Sequence, residues 1–350
     1  MENRSNQRQI GLDFARAFGA LGIIAYHFYC HSASSYKLFF GYANGWWGTA
    51  LNYLFFMLSG LVVHMRYGNA ADWSVGSFYY KRWKTLIPPY VIAFSFPFLM
   101  TVLSVGKVFY MDIPKWRLLL TFFGLDGYAT MIFPTYFITG EWFLGAIVIA
   151  YLVYPGLRFL IHRAKYLTLT VLALLSVITL KTGLGEINEF ANPFVSLLCF
   201  YMGMSLTTLF PYFRKPGVIF GGGGLLCVLL LVPLGGPVVA KEIMTSCALL
   251  VVAYNIGELL CRNPLVRRFT LFVSGISYYS FLIHHRIIYR VLQGYDRGNT
   301  VAAAAVLLGV IVITFVFSTI LKIIVDHVYA CKLFEMVEQR LFAKQRIIKA

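Results

Sequence analysis

The sequence predicts an all-α integral membrane protein, a multi-span bundle of about ten transmembrane helices with both termini in the cytoplasm. Of its 350 residues, 59% are hydrophobic and only 13% are charged. Soluble proteins carry roughly twice that charged fraction. The apolar residues also occur in runs of roughly 17–25 residues, which is the length that a helix needs to cross a bilayer.

Each predicted span is one such apolar run, and the runs are residues 10–30, 49–66, 86–105, 141–160, 166–182, 191–210, 216–232, 239–260, 271–292 and 301–325. The apolar run 116–124 is too short to span, so we expect a re-entrant or interfacial segment there. With the N-terminus inside, most Lys and Arg residues fall in cytoplasmic loops, as the positive-inside rule requires. We treat residues 1–350 as a single domain and expect the basic tail 326–350 to lie on the inner leaflet.

The charge and the cysteines exclude two other classes of protein. The formal net charge of +16 does not indicate a nucleic-acid partner, because basic residues of membrane proteins concentrate in cytoplasmic loops. The six cysteines are scattered and lack paired spacing, so neither a metal site nor a disulfide framework is indicated.

The first span, Ile10–His31 (IGLDFARAFGALGIIAYHFYCH), contains Asp13, Arg16 and His27. Arg16 and His27 are eleven residues apart, so a helix places both on one stripe, about 16 Å apart along its axis. Ionisable residues inside a membrane mark functional sites by default. In the other interpretation, Asp13 and Arg16 reach the headgroups and His27 is an interfacial or buried structural imidazole.

A basic cluster precedes the third span. We expect the loop after the second span to end in FYYKRWKTLIPPY, which contains Lys81, Arg82 and Lys84 at the cytoplasmic mouth. The two prolines of this motif are expected to break or kink the helix. The cluster is either a positive-inside anchor or a site for a phosphorylated cytosolic donor, since Lys and Arg bind phosphates.

Two further stretches carry candidate residues. Glu141 and Trp142 lie where the fourth span enters from outside, so the tryptophan is either a membrane-interface anchor or one wall of a sugar site. In the ninth span, His284 and His285 precede Arg286. No carboxylate stands at helical spacing from these histidines, so a two-histidine metal motif is not supported.

Together these stretches resemble the acyltransferase-3 family of integral membrane acyltransferases, which modify sugars of polysaccharides, lipopolysaccharides and related glycoconjugates. Five segments resemble the family's motifs in the family's order: LDFARAFGALGIIAYHF, FFMLSG, FYYKRWKTLIPPY, EWFLGAIVIAYLVYP and ISYYSFLIHH.

The chain also departs from the family's pattern at two positions. Thr85 stands where the family often has a second arginine three residues after Arg82, and the glutamate pair that one branch has after Trp142 is absent.

The resemblance implies transfer of an acetyl or succinyl group from cytoplasmic acyl-CoA, typically acetyl-CoA, to a hydroxyl of a glycan or lipid-linked saccharide. The site would be embedded among membrane lipid, and the location would be a bacterial inner membrane. A sugar hydroxyl is a poor nucleophile, and a histidine is a suitable general base for it. The roles that we expect are catalysis by His27 and Arg16, coenzyme A binding by Arg82, Lys84, Lys81 and Arg16, and acceptor binding or support by Glu141, Trp142, His284 and Asp13. No metal is expected.

Two other functions fit part of the sequence. A proton-coupled transporter also has many spans, broken helices and intramembrane charges. Against it, no inverted repeat is visible and the ionisable residues concentrate in two helices. The third hypothesis is a catalytically silent scaffold of the same fold. The intact spacing of Arg16 and His27 argues against it.

Overall fold

The computed structural model describes residues 8–32, 45–71, 73–107, 109, 112–136, 138–139, 142–183, 191–232, 235–295, 300–330, 334 and 336. All regular elements in these ranges are helical, so the all-α prediction is confirmed. The helices are α1 (Ile10–His31), α2 (Trp46–Tyr67), α3 (Val75–Val105), α4 (Leu118–Phe122), α5 (Asp126–Ala129), α6 (Trp142–Arg163), α7 (Lys165–Thr182), α8 (Pro193–Ser205), α9 (Pro216–Leu231), α10 (Val238–Leu260), α11 (Pro264–Tyr295) and α12 (Thr300–Tyr329). Short 3₁₀ turns occur at Lys115–Arg117, Leu206–Thr208 and Phe210–Tyr212.

Six of the described helices are long and apolar enough to cross a membrane, namely α2, α3, α6, α7, α10 and α12. Each predicted span overlaps a helix, but the number ten and the cytoplasmic position of both termini remain predictions. α8 and α9 are short, with 13 and 16 residues. α1 and α11, with 22 and 32 residues, are not among these six helices.

The predicted loop before the third span is wrong, because FYYKRWK lies within α3. This helix begins at Val75, after Ser74 has accepted a 3.2 Å hydrogen bond from the backbone N–H of Ser77. It then continues through Pro88 and Pro89. A proline inside a helix removes the bond to the carbonyl four residues earlier, which for Pro88 is the carbonyl of Lys84.

A hydroxyl group from a neighbouring helix compensates for the first of these prolines. Tyr329 on α12 donates a hydrogen bond to the Lys84 carbonyl, which Pro88 leaves without its helical partner. Tyr278 on α11 donates a further hydrogen bond of 2.7 Å to the Leu86 carbonyl and so ties α3 to α11 next to the prolines. Such side-chain partners allow proline inside a membrane helix. Tertiary contacts therefore allow α3 to pass through a pair of prolines that would be expected to interrupt it.

Small residues allow a close crossing of α2 and α8. A Cβ built on Gly60 of α2 would collide with the carbonyl oxygen of Phe200, and one on Gly203 of α8 would collide with that of Met57. α2 and α8 have the most extensive contact of any helix pair in the described part of the chain. Gly60 and Gly203 therefore let the backbones of α2 and α8 approach closely.

α1 lies at the centre of the bundle, against α11, α10 and α2. Its bounds, Ile10–His31, are those of the apolar stretch that contains Asp13, Arg16 and His27. The run 116–124 forms only short helical pieces, and whether it enters the membrane remains a prediction. Of the predicted tail 326–350, most residues after Ala330 lie outside the described ranges, so its position on the inner leaflet stays a prediction.

Candidate active site

A cavity of about 280 Å³ lies between α1, α2, α3, α6 and α11. Most of its lining is apolar. The polar side chains that line it include Arg16, Ser59, Arg82, Tyr151 and His284. The fold therefore brings together three of the predicted site residues, from three different helices, around one cavity.

Arg16 is held by a polar network that joins α1 to α11. Its Nη1 atom lies 3.2 Å from Oδ1 of Asp13 and donates a 3.2 Å hydrogen bond to the Ser274 hydroxyl. Ser274 in turn donates a 2.7 Å hydrogen bond to Asp13. Asp13 also pairs with Arg8 at 2.6 Å and is only 4% exposed. Asp13 thus orients Arg16, as the spacing of three residues suggests, while Arg16 itself lines the cavity.

Arg82 lies in an aromatic cage. Its guanidinium carbon is 5.6 Å from the ring centre of Tyr67, 5.9 Å from that of Phe78 and 5.5 Å from that of Tyr151. The Tyr151 hydroxyl lies 2.7 Å from the hydroxyl of Ser59. A planar guanidinium stacks on aromatic faces and still presents several donors to a ligand.

A second cavity, of about 370 Å³, adjoins the first at the N-terminal part of α3. It is lined by Arg66, Tyr67, Lys81, Arg82, Lys84, Thr85, Tyr279 and Tyr329. Arg82 and Thr85 line both cavities. Four cationic side chains therefore surround the space that leads to the first cavity.

The histidines gather at the other end of the first cavity. His284 is fully buried, and its Nδ1 atom donates to the backbone carbonyls of Ser280 and Phe281 at 3.1 and 2.9 Å. These bonds leave Nε2 as the nitrogen that carries the lone pair in neutral imidazole. The ring of His27 lies 5.2 Å from that of His284, and His27 is beside the cavity lining rather than part of it. The rings of His285 and His31 lie 4.1 and 6.2 Å from that of His27.

Of the two residues predicted at the outer entrance, the structure describes only Trp142, because Glu141 lies outside the described residues. Trp142 begins α6, and its ring packs 6.2 Å from that of Phe56. The next residue, Phe143, is the one that lines the cavity. A role for Trp142 in acceptor binding stays a prediction.

The arrangement unites a basic entrance, an apolar cavity and a histidine group, and a family model matches nearly the whole chain. That model, Acyl_transf_3, is described as an acyltransferase domain and covers residues 9–323. The chain belongs to the acyltransferase-3 family. No curated protein and no solved structure matched it.

This family member is therefore a membrane acyltransferase. Both of its departures from the family pattern fall near the site. Thr85 lines the two cavities at the position of the second arginine, and its hydroxyl donates to the Lys81 carbonyl at 2.7 Å. The cationic charge at this point of the acyltransferase comes from Lys81 and Lys84 instead.

Sequence reasoning missed several residues of the site. Tyr151 and Ser274 were not singled out, because their partners are 92 and 261 residues away along the chain. His31 carried a usable signal, since it lies four residues after His27 and so on the same helical face. His285 was noticed only as the neighbour of His284.

Proposed function

We propose that this acyltransferase moves an acetyl or succinyl group from cytoplasmic acyl-CoA to a hydroxyl of a glycan or glycolipid. The observation that carries the proposal is the pair of adjoining cavities, which share Arg82 and run from a basic entrance to His284. Coenzyme A has an anionic nucleotide end and a long, weakly polar arm that ends in the thioester. A basic mouth followed by a narrow apolar cavity complements both parts.

In this proposal the phosphates of coenzyme A contact Arg82, Lys81 and Lys84. Arg82 is held by its aromatic cage, so it is ordered before the donor binds, which lowers the entropy lost on binding. The pantetheine arm then extends along the first cavity and passes Arg16. Because Arg16 and His27 are about 16 Å apart along α1, Arg16 contacts the arm of the donor while the thioester reaches the histidines.

The chemistry proposed for His27 is general-base catalysis. Its imidazole takes the proton of the acceptor hydroxyl as that oxygen attacks the thioester carbonyl. The C–O bond forms, the C–S bond breaks, and the proton passes to the departing thiolate, so coenzyme A leaves as the thiol. His284 supports this step by fixing the ring of His27, which lies next to it.

The acceptor is proposed to arrive from the outer end of the bundle, where Glu141 and Trp142 are placed by the sequence. A glycan that is linked to a lipid, in a bacterial inner membrane, fits an enzyme whose site is enclosed by membrane helices. No nucleic acid takes part in the proposed reaction.

The test is release of coenzyme A from acetyl-CoA by purified protein, with and without a glycan extract of the host. Wild type is compared with His27→Ala, Arg16→Ala and the control His162→Ala, which alters a histidine outside both cavities. Release that needs the extract, disappears in His27→Ala and persists in His162→Ala supports the proposal. If wild type neither binds nor consumes any acyl-CoA, the proposal fails and a carrier or scaffold function takes its place.

A further inference from the structure

A group of three histidines on two helices lies at the outer side of the candidate active site. His27 and His31 are four residues apart on α1, and His285 faces them from α11. One imidazole nitrogen from each lies within 4.8 Å of the other two, and all three residues are half-buried. Neither the family assignment nor the proposed reaction requires such a group.

The chemistry of the three side chains is that of a transition-metal site. Neutral imidazole is the commonest metal ligand in proteins, and three imidazoles with one open position form a typical zinc site. Zinc–nitrogen distances of about 2.0–2.1 Å require the three nitrogens to move closer together than they now lie. Rotation of half-buried side chains on two packed helices can supply that adjustment.

Side chains of α11 flank the histidine group. Arg286, which follows His285 in the chain, donates its Nε–H to the Ile138 carbonyl at 2.7 Å, so its guanidinium is held against the backbone at Ile138. The ring of Tyr289 packs 4.4 Å from that of His31 and 6.1 Å from that of His285. These two contacts restrict the orientation of the His31 and His285 rings. His284 adds a fourth imidazole 4.6 Å from His285.

We propose that His27, His31 and His285 bind one divalent transition-metal ion of the zinc class. The effect of this ion on catalysis rests on the proposed function. The lone pair of His27 cannot bind a metal and accept a proton at the same time. Metal binding therefore inhibits acyl transfer, and removal of the metal restores it.

The binding test uses the full-length protein in detergent, purified on a tag without histidines and treated with EDTA. Co²⁺ is titrated and its visible absorption recorded, and Zn²⁺ binding is measured by equilibrium dialysis. We expect one ion per chain. His31→Gln and His285→Gln each weaken binding about tenfold or more, whereas the control His162→Gln, from the separate pair His64 and His162, leaves it unchanged.

Thermal unfolding checks that the variants fold and gives a second readout of binding. A metal that binds only the folded protein raises the unfolding midpoint. We expect Zn²⁺ to raise the midpoint of wild type and His162→Gln, and not that of His31→Gln or His285→Gln. The proposal is overturned by wild type that shows no Co²⁺ band and no Zn²⁺ shift, or by binding that both of these variants retain.

Failure of the metal site and failure of the proposed function are distinguishable. Co²⁺ binding without any release of coenzyme A leaves the metal site standing and removes the enzymatic role. Release of coenzyme A that Zn²⁺ inhibits and EDTA restores supports both. Release that continues unchanged at saturating Co²⁺ overturns the claim that the metal occupies His27.

Discussion

Ser274 on α11 donates a 2.7 Å hydrogen bond to Asp13 on α1, across 261 residues of sequence. This bond joins the helix that carries Arg16 and His27 to the helix that carries His284 and His285. α1 and α11 are thus connected through the carboxylate that also pairs with Arg16. Their relative position is what brings the histidines together at one end of the cavity.

We predict that Asp13→Asn destabilises the protein and weakens donor binding. The carboxylate is 4% exposed and accepts from two arginines and a serine, and charged hydrogen bonds contribute about 1.5–3 kcal/mol each when buried. Since Arg8 and Arg16 are partly exposed, we expect a loss of about 1–3 kcal/mol in total. Thermal unfolding and the KM for acyl-CoA measure the two effects. Ser274→Ala, which removes one neutral donor, should have the smaller effect, and an unchanged Asp13→Asn would refute the role of the network.

The aromatic cage predicts that Arg82→Lys is not a conservative change. Lysine keeps the charge but loses the planar group that stacks among Tyr67, Phe78 and Tyr151. Exposed cation–π contacts are worth about 0.5–1 kcal/mol, so the KM for acyl-CoA should rise roughly two- to fivefold with kcat little changed. Steady-state kinetics checks this. The control is Arg163→Lys. Arg163 is exposed and its guanidinium lies over the ring of Phe159, so this change should leave the KM for acyl-CoA unaltered.

The α2–α8 crossing predicts that added methyl groups are poorly tolerated there. Gly60→Ala and Gly203→Ala each place a Cβ against backbone of the other helix, and overpacking of this kind costs about 1–3 kcal/mol. The unfolding midpoint should therefore fall. In contrast, a Cβ on Gly223 of α9 meets nothing within 4 Å. Gly223→Ala should be neutral or slightly stabilising, because alanine favours helix over glycine. Equal effects at the three positions would contradict the close crossing.

Asp126 in α5 predicts a pH-dependent stability. Its burial raises the pKa of the carboxyl, and the neighbouring hydroxyl groups of Thr135, Thr121 and Tyr90 only partly oppose this. The folded protein therefore binds a proton more tightly than the unfolded chain, so this group's contribution to stability decreases as pH rises through the interval between the two pKa values. Asp126→Asn keeps a neutral side chain at every pH.

The measurement for Asp126 is the unfolding midpoint at about pH 3 and about pH 7.5, which lie below and above the ordinary aspartate pKa of about 3.9. The unfolding midpoint of Asp126→Asn, relative to that of wild type, should be higher at the higher pH. Asp112→Asn, at an exposed position, is the control and should show no such trend. If the unfolding midpoint of Asp126→Asn fell relative to that of wild type at the higher pH, a raised pKa of Asp126 would be disproved.

Part of the site could be predicted because its signals are local. Arg16 and His27 share a helical face by spacing alone, and α1 begins and ends where the apolar stretch does. The cluster of Lys81, Arg82 and Lys84 was recognised by composition, although its secondary structure was not. The loop expected there was wrong because α3 begins before the cluster, at Val75, and because the Tyr329 hydroxyl, from a helix far along the chain, bonds to the Lys84 carbonyl that Pro88 leaves without its helical partner.

The sequence by itself determined the helical class, the membrane environment and the family, because apolar run length, helical periodicity and motif order are properties of neighbouring residues. Only the tertiary structure decided which side chains share a space. The cage around Arg82, the bond from Ser274 to Asp13 and the meeting of His285 with His27 all join different helices. Which helices meet depends on packing, such as the glycine crossing of α2 and α8, and packing is a property of the whole bundle.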